Sequence, residues 1–118
     1  MKFLLTNDDG IDAPGLQALT AFAKELGEVV VVAPDGPRSG FSHCATMYES
    51  MELRQVSENR YACSGTPVDC VRLGLTHLGL KPDWVLSGVN AGANLGVDLY
   101  MSGTAGAARE AAILGVPA

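Results

Sequence analysis

The run Val29-Val30-Val31-Val32 constrains this chain more than any other feature. It is apolar at every position, with none of the alternation of a strand that has one face in water. Such a run fits a strand covered on both sides, which is the normal state of a parallel sheet. Parallel neighbours cannot be joined by a tight hairpin, so crossover helices must lie between them. The flanking sequence supplies these pieces. Lys2 to Thr6 is a short apolar run ended by Asn7-Asp8-Asp9-Gly10 and reads as a first buried strand. Leu16, Leu19, Phe22 and Leu26 then recur at helical spacing, with Asp12 as the expected N-cap, Pro14 in the first turn and Gly27 as the stop. Pro34 ends the valine strand.

Beyond Pro34 the signals change character. Residues 34 to 43 form a polar loop of turn formers. The stretch from about Thr46 to Cys63 is expected to make an antiparallel excursion that turns near Glu58-Asn59. Thr66-Pro67-Val68-Asp69 has the form of a capping box and opens a helix with Val68, Val71, Leu75 and Leu78 on one face. Asp83 to Leu86 reads as another short strand. A glycine-rich loop runs from Ser87 to Gly103. Ser102 caps a last helix, Thr104 through Leu114, and Gly115 follows as its C′ residue. Val116-Pro117-Ala118 looks like the approach to a further strand, so the 118 residues are expected to be part of something longer. The whole is one α/β domain, residues 1–118: an open, mostly parallel sheet with helices on both faces.

Charge and cysteine content exclude several classes. The formal net charge is −5 and no Lys/Arg cluster occurs, so neither a nucleic-acid polymer nor an anionic membrane is an expected partner. No apolar run is long enough for a membrane span, and the N-terminus turns acidic too soon for a signal peptide. Cys44, Cys63 and Cys70 are odd in number and form no CxxC pair, which fits free thiols in a reducing compartment. A zinc site from His43, Cys44, Cys63 and Cys70 has poor spacing. The expected location is the cytoplasm.

In open parallel sheets, ligands bind outside the carboxyl ends of the strands. Three loops meet that description here: Asn7-Asp8-Asp9-Gly10, Arg38-Ser39-Gly40, and Ser87-Gly88-Val89-Asn90 followed by Asn94. Two adjacent carboxylates at a strand end repel each other unless a cation sits between them, and Gly10 lets the chain turn away. Ser39 and Asn90 add neutral oxygens. An all-oxygen set of this kind suits magnesium, manganese or calcium better than zinc or copper. Ser102-Gly103-Thr104 opens a helix whose N–H groups and small side chains fit an anion. No Gly-Lys-Ser/Thr and no G-x-G-x-x-G after the first strand occurs, which argues against a P-loop or a dinucleotide site. A signalling receiver domain would need an Asp after the third strand and a Lys after a late one. The chain instead has Leu53-Arg54-Gln55 in its middle, and its only lysines are Lys2, Lys24 and Lys81. Haloacid-dehalogenase-type phosphatases want D-x-D-x-T/V, which Asn7-Asp8-Asp9-Gly10 does not match.

Taken in order, these segments resemble the SurE (survival protein E) phosphatases: Asn7-Asp8-Asp9-Gly10, Ala33-Pro34-Asp35 leading to Arg38-Ser39-Gly40, Gly65 through Val71, Ser87 through Gly96, and Ser102-Gly103-Thr104. The resemblance implies a Rossmann-like N-terminal domain and metal-dependent hydrolysis of nucleoside 5′- and 3′-monophosphates, in some members also of polyphosphate. It implies one divalent cation per subunit, magnesium or manganese, on Asp8, Asp9, Ser39 and Asn90. It places substrate phosphate near Asn94, Ser102, Gly103 and Thr104. No His is well placed in these motifs, so Asp8 is the candidate for orienting or deprotonating the attacking water, with Asn94 stabilising the growing negative charge. It also implies a homodimer or homotetramer built with a C-terminal part about as long again. Gly36-Pro37 before Arg38, and Met101 before Ser102, depart from the family's usual residues. The reading from another class is a non-catalytic metal-binding or assembly module.

Overall fold

The computed structural model describes residues 1–118 and contains one five-stranded sheet. The strands are β1 (Lys2–Thr6), β2 (Glu28–Pro34), β3 (Leu53–Ser57), β4 (Arg60–Cys63) and β5 (Trp84–Ser87), in the order β3-β4-β2-β1-β5. All neighbours are parallel except β3 and β4, which form the antiparallel excursion at one edge. Asn59 makes its turn, at φ 56°. The register sets Leu5 beside Val31 on one side and Leu86 on the other.

Alternation along the strands builds two cores. Phe3, Leu5, Val29, Val31 and Ala33 face helix α1 (Pro14–Lys24), where Leu16 and Ala23 meet them. Leu4, Val32 and Val85 face the other way, against Cys70 and Val71 of α2 (Pro67–Thr76) and Ala107 and Ala111 of α4 (Gly103–Ile113). Helices therefore cover both faces, and the valine run is buried because each side has a layer. Leu4, Leu5, Val31 and Val32 are each at most 1% exposed. Burying one such side chain contributes about 1.5–3 kcal/mol, which is why the strand tolerates no polar residue there.

Local details differ from expectation in ways the physics explains. Asp12 is not the cap of α1: Ala13 holds that position with no side-chain bond, and Pro14 fixes the first turn instead. The stripe on α1 is narrower than its spacing suggested. Phe22 lies about 120° round the helix from Leu16 at ~100° per residue, and both it and Leu26 remain exposed. The helix stops at Lys24, before Gly27. Gly27 serves close approach instead, because a Cβ there would run into the Met1 carbonyl. In the glycine-rich loop a four-residue helix, α3 (Asp98–Met101), was not foreseen, since one turn carries no periodicity. Helix α4 starts at Gly103, one residue earlier than expected, with the Ser102 hydroxyl accepting from Ala105 N–H at 3.1 Å. The Thr66/Asp69 capping box of α2 is present in both directions. After α4 the chain returns along β5, where Val85 N–H donates to the Pro117 carbonyl at 2.8 Å. No helix is long and apolar enough to cross a membrane.

One contact links this frame to the strand-end loops. Gly15, in the first turn of α1, packs so closely under the Val89 carbonyl that a Cβ would collide with backbone. Gly15→Ala is expected to destabilise the chain by about 1–3 kcal/mol through overpacking. Thermal unfolding of the variant beside the parent checks this, and an unchanged midpoint would refute the contact.

Candidate active site

At the carboxyl ends of β1, β2 and β5, three loops turn toward each other. Asn7 shapes the first. Its amide donates to the Gly10 carbonyl at 2.8 Å and its side-chain oxygen accepts from Gly10 N–H at 3.2 Å. Gly10 takes a φ of +110°, so the chain reverses and leaves Asp8 and Asp9 standing at the turn. The second loop is tied to the first by Arg38 N–H, which donates to the Asp8 carbonyl at 2.7 Å. The third is tied to the first at two points. Gly88 N–H donates to the Thr6 carbonyl at 2.9 Å, and Ala91 N–H donates to an Asp9 carboxylate oxygen at 3.0 Å.

Between the loops lies a cleft of about 270 Å³. Asp8, Asp9, Ser39, Asn90, Asn94 and Ser102 all line it, and only Met101 among its walls is apolar. The structure thus brings together six of the eight residues singled out from sequence. Gly103 and Thr104 are not among its walls. A Cβ on Gly103 would lie 3.2 Å from the Asp8 Cβ, so this glycine lets α4 approach the carboxylate directly. Asp98 also lines the cleft, with no sign of it in the sequence, and so does Met101, which stands out in the sequence only as an unusual residue before Ser102. Both belong to the short α3, whose existence had no pattern to reveal it.

Electrostatics separate the two adjacent carboxylates. Asp8 is buried, and burial raises its pKa above the ordinary 3.8. The nearby Thr104 side chain, which falls short of hydrogen-bond geometry, pulls the other way, and the neighbouring Asp9 charge pushes it up again. Asp8 Oδ1 and Thr104 Oγ1 are buried without hydrogen-bond partners. Asn90 uses its amide nitrogen on the Gly92 carbonyl at 2.8 Å, which leaves its oxygen available. The cleft walls include three aspartates, Asp8, Asp9 and Asp98, and no Lys or Arg. Arg38 faces elsewhere, with its guanidinium on Asp35 at 2.7 Å and on the Ser64 carbonyl at 3.2 Å.

A divalent cation fits this donor set. An orphaned buried carboxylate oxygen, a second carboxylate, and serine and asparagine oxygens are hard ligands of the kind magnesium and manganese take. No group of three or more His, Cys, Asp or Glu side chains is arranged to hold a metal, so a donor set here must include neutral oxygens. His43 Nε2 is bonded to Glu110 at 2.6 Å and is not part of the cleft wall. Cys63 and Cys70 are buried and Cys44 is exposed, all three as free thiols. Burial raises the pKa of Cys70, while the contact with Cys70 lowers that of Cys63.

The fold and the cleft define a class: an α/β domain with an anionic, oxygen-lined site at the ends of its parallel strands. Comparison with known proteins gives the family. The family model of survival protein SurE matches residues 3–118, and the chain belongs to that family. It is 53% identical over 115 residues to a putative 5′-nucleotidase of Synechocystis sp., covering 98% of this chain and 50% of that protein. It is 50% identical over 119 residues to the 5′-nucleotidase SurE of Geotalea daltonii, covering 100% and 48%. The crystal structure of the SurE protein from Aquifex aeolicus superimposes with a TM-score of 0.93 at 49% identity, covering 99% of this chain and 48% of that one. The chain spans about half the length of the curated relatives it matches.

Proposed function

We propose that this chain carries the working site of a metal-dependent 5′/3′-nucleotidase, which releases phosphate from nucleoside monophosphates. The observation that carries the reading is the cleft itself: oxygen donors from three strand-end loops converge where no cationic side chain is present. An anionic substrate enters such a site only with a cation beside it. The relatives named as 5′-nucleotidases supply the substrate class. Asp8, Asp9, Ser39 and Asn90 would hold one magnesium or manganese ion, which when bound supplies Lewis-acid polarisation of the phosphate and activation of water.

The chain's own residues do the rest. Asp8, whose carboxylate stands in the cleft wall, accepts a proton from the attacking water. Asn94, from the rim, donates its amide to a phosphate oxygen as negative charge grows there. Ser102, at the N-terminus of α4, adds its hydroxyl and the favourable helix dipole. The departing nucleoside oxygen takes a proton from solvent. We place the protein in the cytoplasm and, in a form with a C-terminal half, in a homodimer or homotetramer.

The test is phosphate release from a panel of nucleoside monophosphates with manganese, magnesium or EDTA. Release that needs the metal supports the nucleotidase reading. A folded chain that binds manganese and releases no phosphate would overturn it in favour of a metal-binding or assembly module. The half-length match to the relatives makes that second outcome a concrete rival.

A further inference from the structure

The loop that carries Ser39 runs from Asp35 to Glu52 without regular structure, so something outside its own backbone must fix it. The fixing comes from the start of α2. Thr66 and Asp69 cap that helix in the usual reciprocal way: Asp69 N–H donates to the Thr66 hydroxyl at 3.2 Å, and Thr66 N–H donates to Asp69 Oδ2 at 2.8 Å. Each side chain then makes a second kind of bond, to the loop. Thr46 N–H donates to Asp69 Oδ1 at 2.8 Å and the Thr46 hydroxyl donates to Asp69 Oδ2 at 2.7 Å. The Thr66 hydroxyl donates to the Cys44 carbonyl at 2.6 Å.

Asp69 is 1% exposed, and its charge is balanced by donors alone, two of which belong to a loop 23 residues away. A helix cap needs only the bonds within residues 66–69. The additional bonds have a different effect: they fix the loop relative to the sheet. From residues 44–46 the hold passes toward the cleft. Ser42 N–H donates to the Met101 carbonyl at 3.1 Å, directly before Ser102, and the Ser42 hydroxyl donates to the Tyr100 carbonyl. Ser39, three residues further back, stands in the cleft wall. A second buried carboxylate, Glu110, backs the same loop through His43.

We infer that Thr46 and Asp69 are positioning residues for the metal site: the α2 cap clamps loop 38–46, and the clamp sets Ser39 against Asp8 and Asp9. This rests on the metal reading above. Asp69 acts on the cleft only through the loop and touches no reacting atom.

The experiment uses the whole chain with Thr46→Val and Thr46→Ser. Thr46→Val keeps the shape and the backbone bond to Asp69, and Asp69 keeps its bond from Thr66, so the α2 cap survives. Two readouts are taken: amide hydrogen exchange of residues 39–46, and the Mn2+ dissociation constant by calorimetry. The expected result is about tenfold faster exchange in the loop and about tenfold weaker Mn2+ binding for Thr46→Val, because one charge-assisted bond is lost. Thr46→Ser restores both. A merely structural residue would lower thermal stability and leave the metal constant of the folded chain unmoved. Unchanged exchange, unchanged Mn2+ affinity, or no rescue by serine overturns the inference. If the parent chain protects the loop and yet binds no Mn2+, the metal reading fails and takes the inference with it. That outcome is distinct from failure of the clamp.

Discussion

Asp9→Asn is expected to lower metal-dependent phosphate release by about a thousandfold while leaving the chain folded, since losing one carboxylate ligand removes several kcal/mol of transition-state stabilisation. The fold should survive because Asp9 is only half-buried and its one hydrogen bond within the chain is accepted from Ala91 N–H. The asparagine oxygen can accept that same bond. Charge is the only thing the substitution takes away. Steady-state phosphate release at saturating manganese, with circular dichroism as the control, measures it. Retained turnover in the variant would sink the assignment of Asp9 to the metal.

Asp8→Asn is expected to match that loss in rate and yet to make the metal-free chain more stable at neutral pH. Burial holds the Asp8 pKa above its ordinary 3.8, so the folded chain binds this proton more tightly than the unfolded chain does. A raised carboxylate contributes its stability below the unfolded value, and that contribution is lost as pH rises through the folded value. At neutral pH ionised Asp8 is therefore a destabilising charge in the metal-free chain, and asparagine removes it. The difference in melting temperature between variant and parent should shrink as pH falls toward 3.8 and vanish below it. Metal reverses the order. Manganese at about a hundred times its dissociation constant should stabilise the parent by about 2.7 kcal/mol. The variant should gain little, because its buried oxygen no longer carries charge. A variant less stable than the parent without metal at pH 7 would contradict this electrostatic account. Such a reversal, stabilising when empty and disabling when loaded, is the signature of a functional carboxylate as opposed to a structural one.

The parts of the molecule that could be read from the sequence are those with a repeating physical cause. Val29 to Val32 announced a strand covered on both faces, and the two cores on either side of it are the reason. Thr66 and Asp69 announced a helix start because a capping box is a local arrangement of four residues. The cleft was legible because strand ends in a parallel sheet must face one way, so Asp8, Ser39 and Asn90 were bound to share an edge. What stayed hidden depends on contacts between distant residues. Asp69 reads as a helix cap in sequence, and nothing in its neighbourhood says that Thr46 leans on it. Gly15 and Gly27 look like ordinary helix-boundary glycines, while each is needed for backbone lying close against it. Asp12 looked like a cap, but the turn at Gly10 delivers the chain so that Ala13 takes the position. Asp98 and Met101 enter the cleft on a single helical turn too short for any period to show.

The proposed reaction depends on one divalent cation held among Asp8, Asp9, Ser39 and Asn90. The most direct measurement is anomalous diffraction from crystals of the chain soaked in manganese. The account requires a single strong peak per chain, about 2.0–2.6 Å from oxygens of those four side chains. A peak elsewhere, such as beside Asp35 or Glu110, or an empty cleft in crystals that hold manganese at another place, would contradict it.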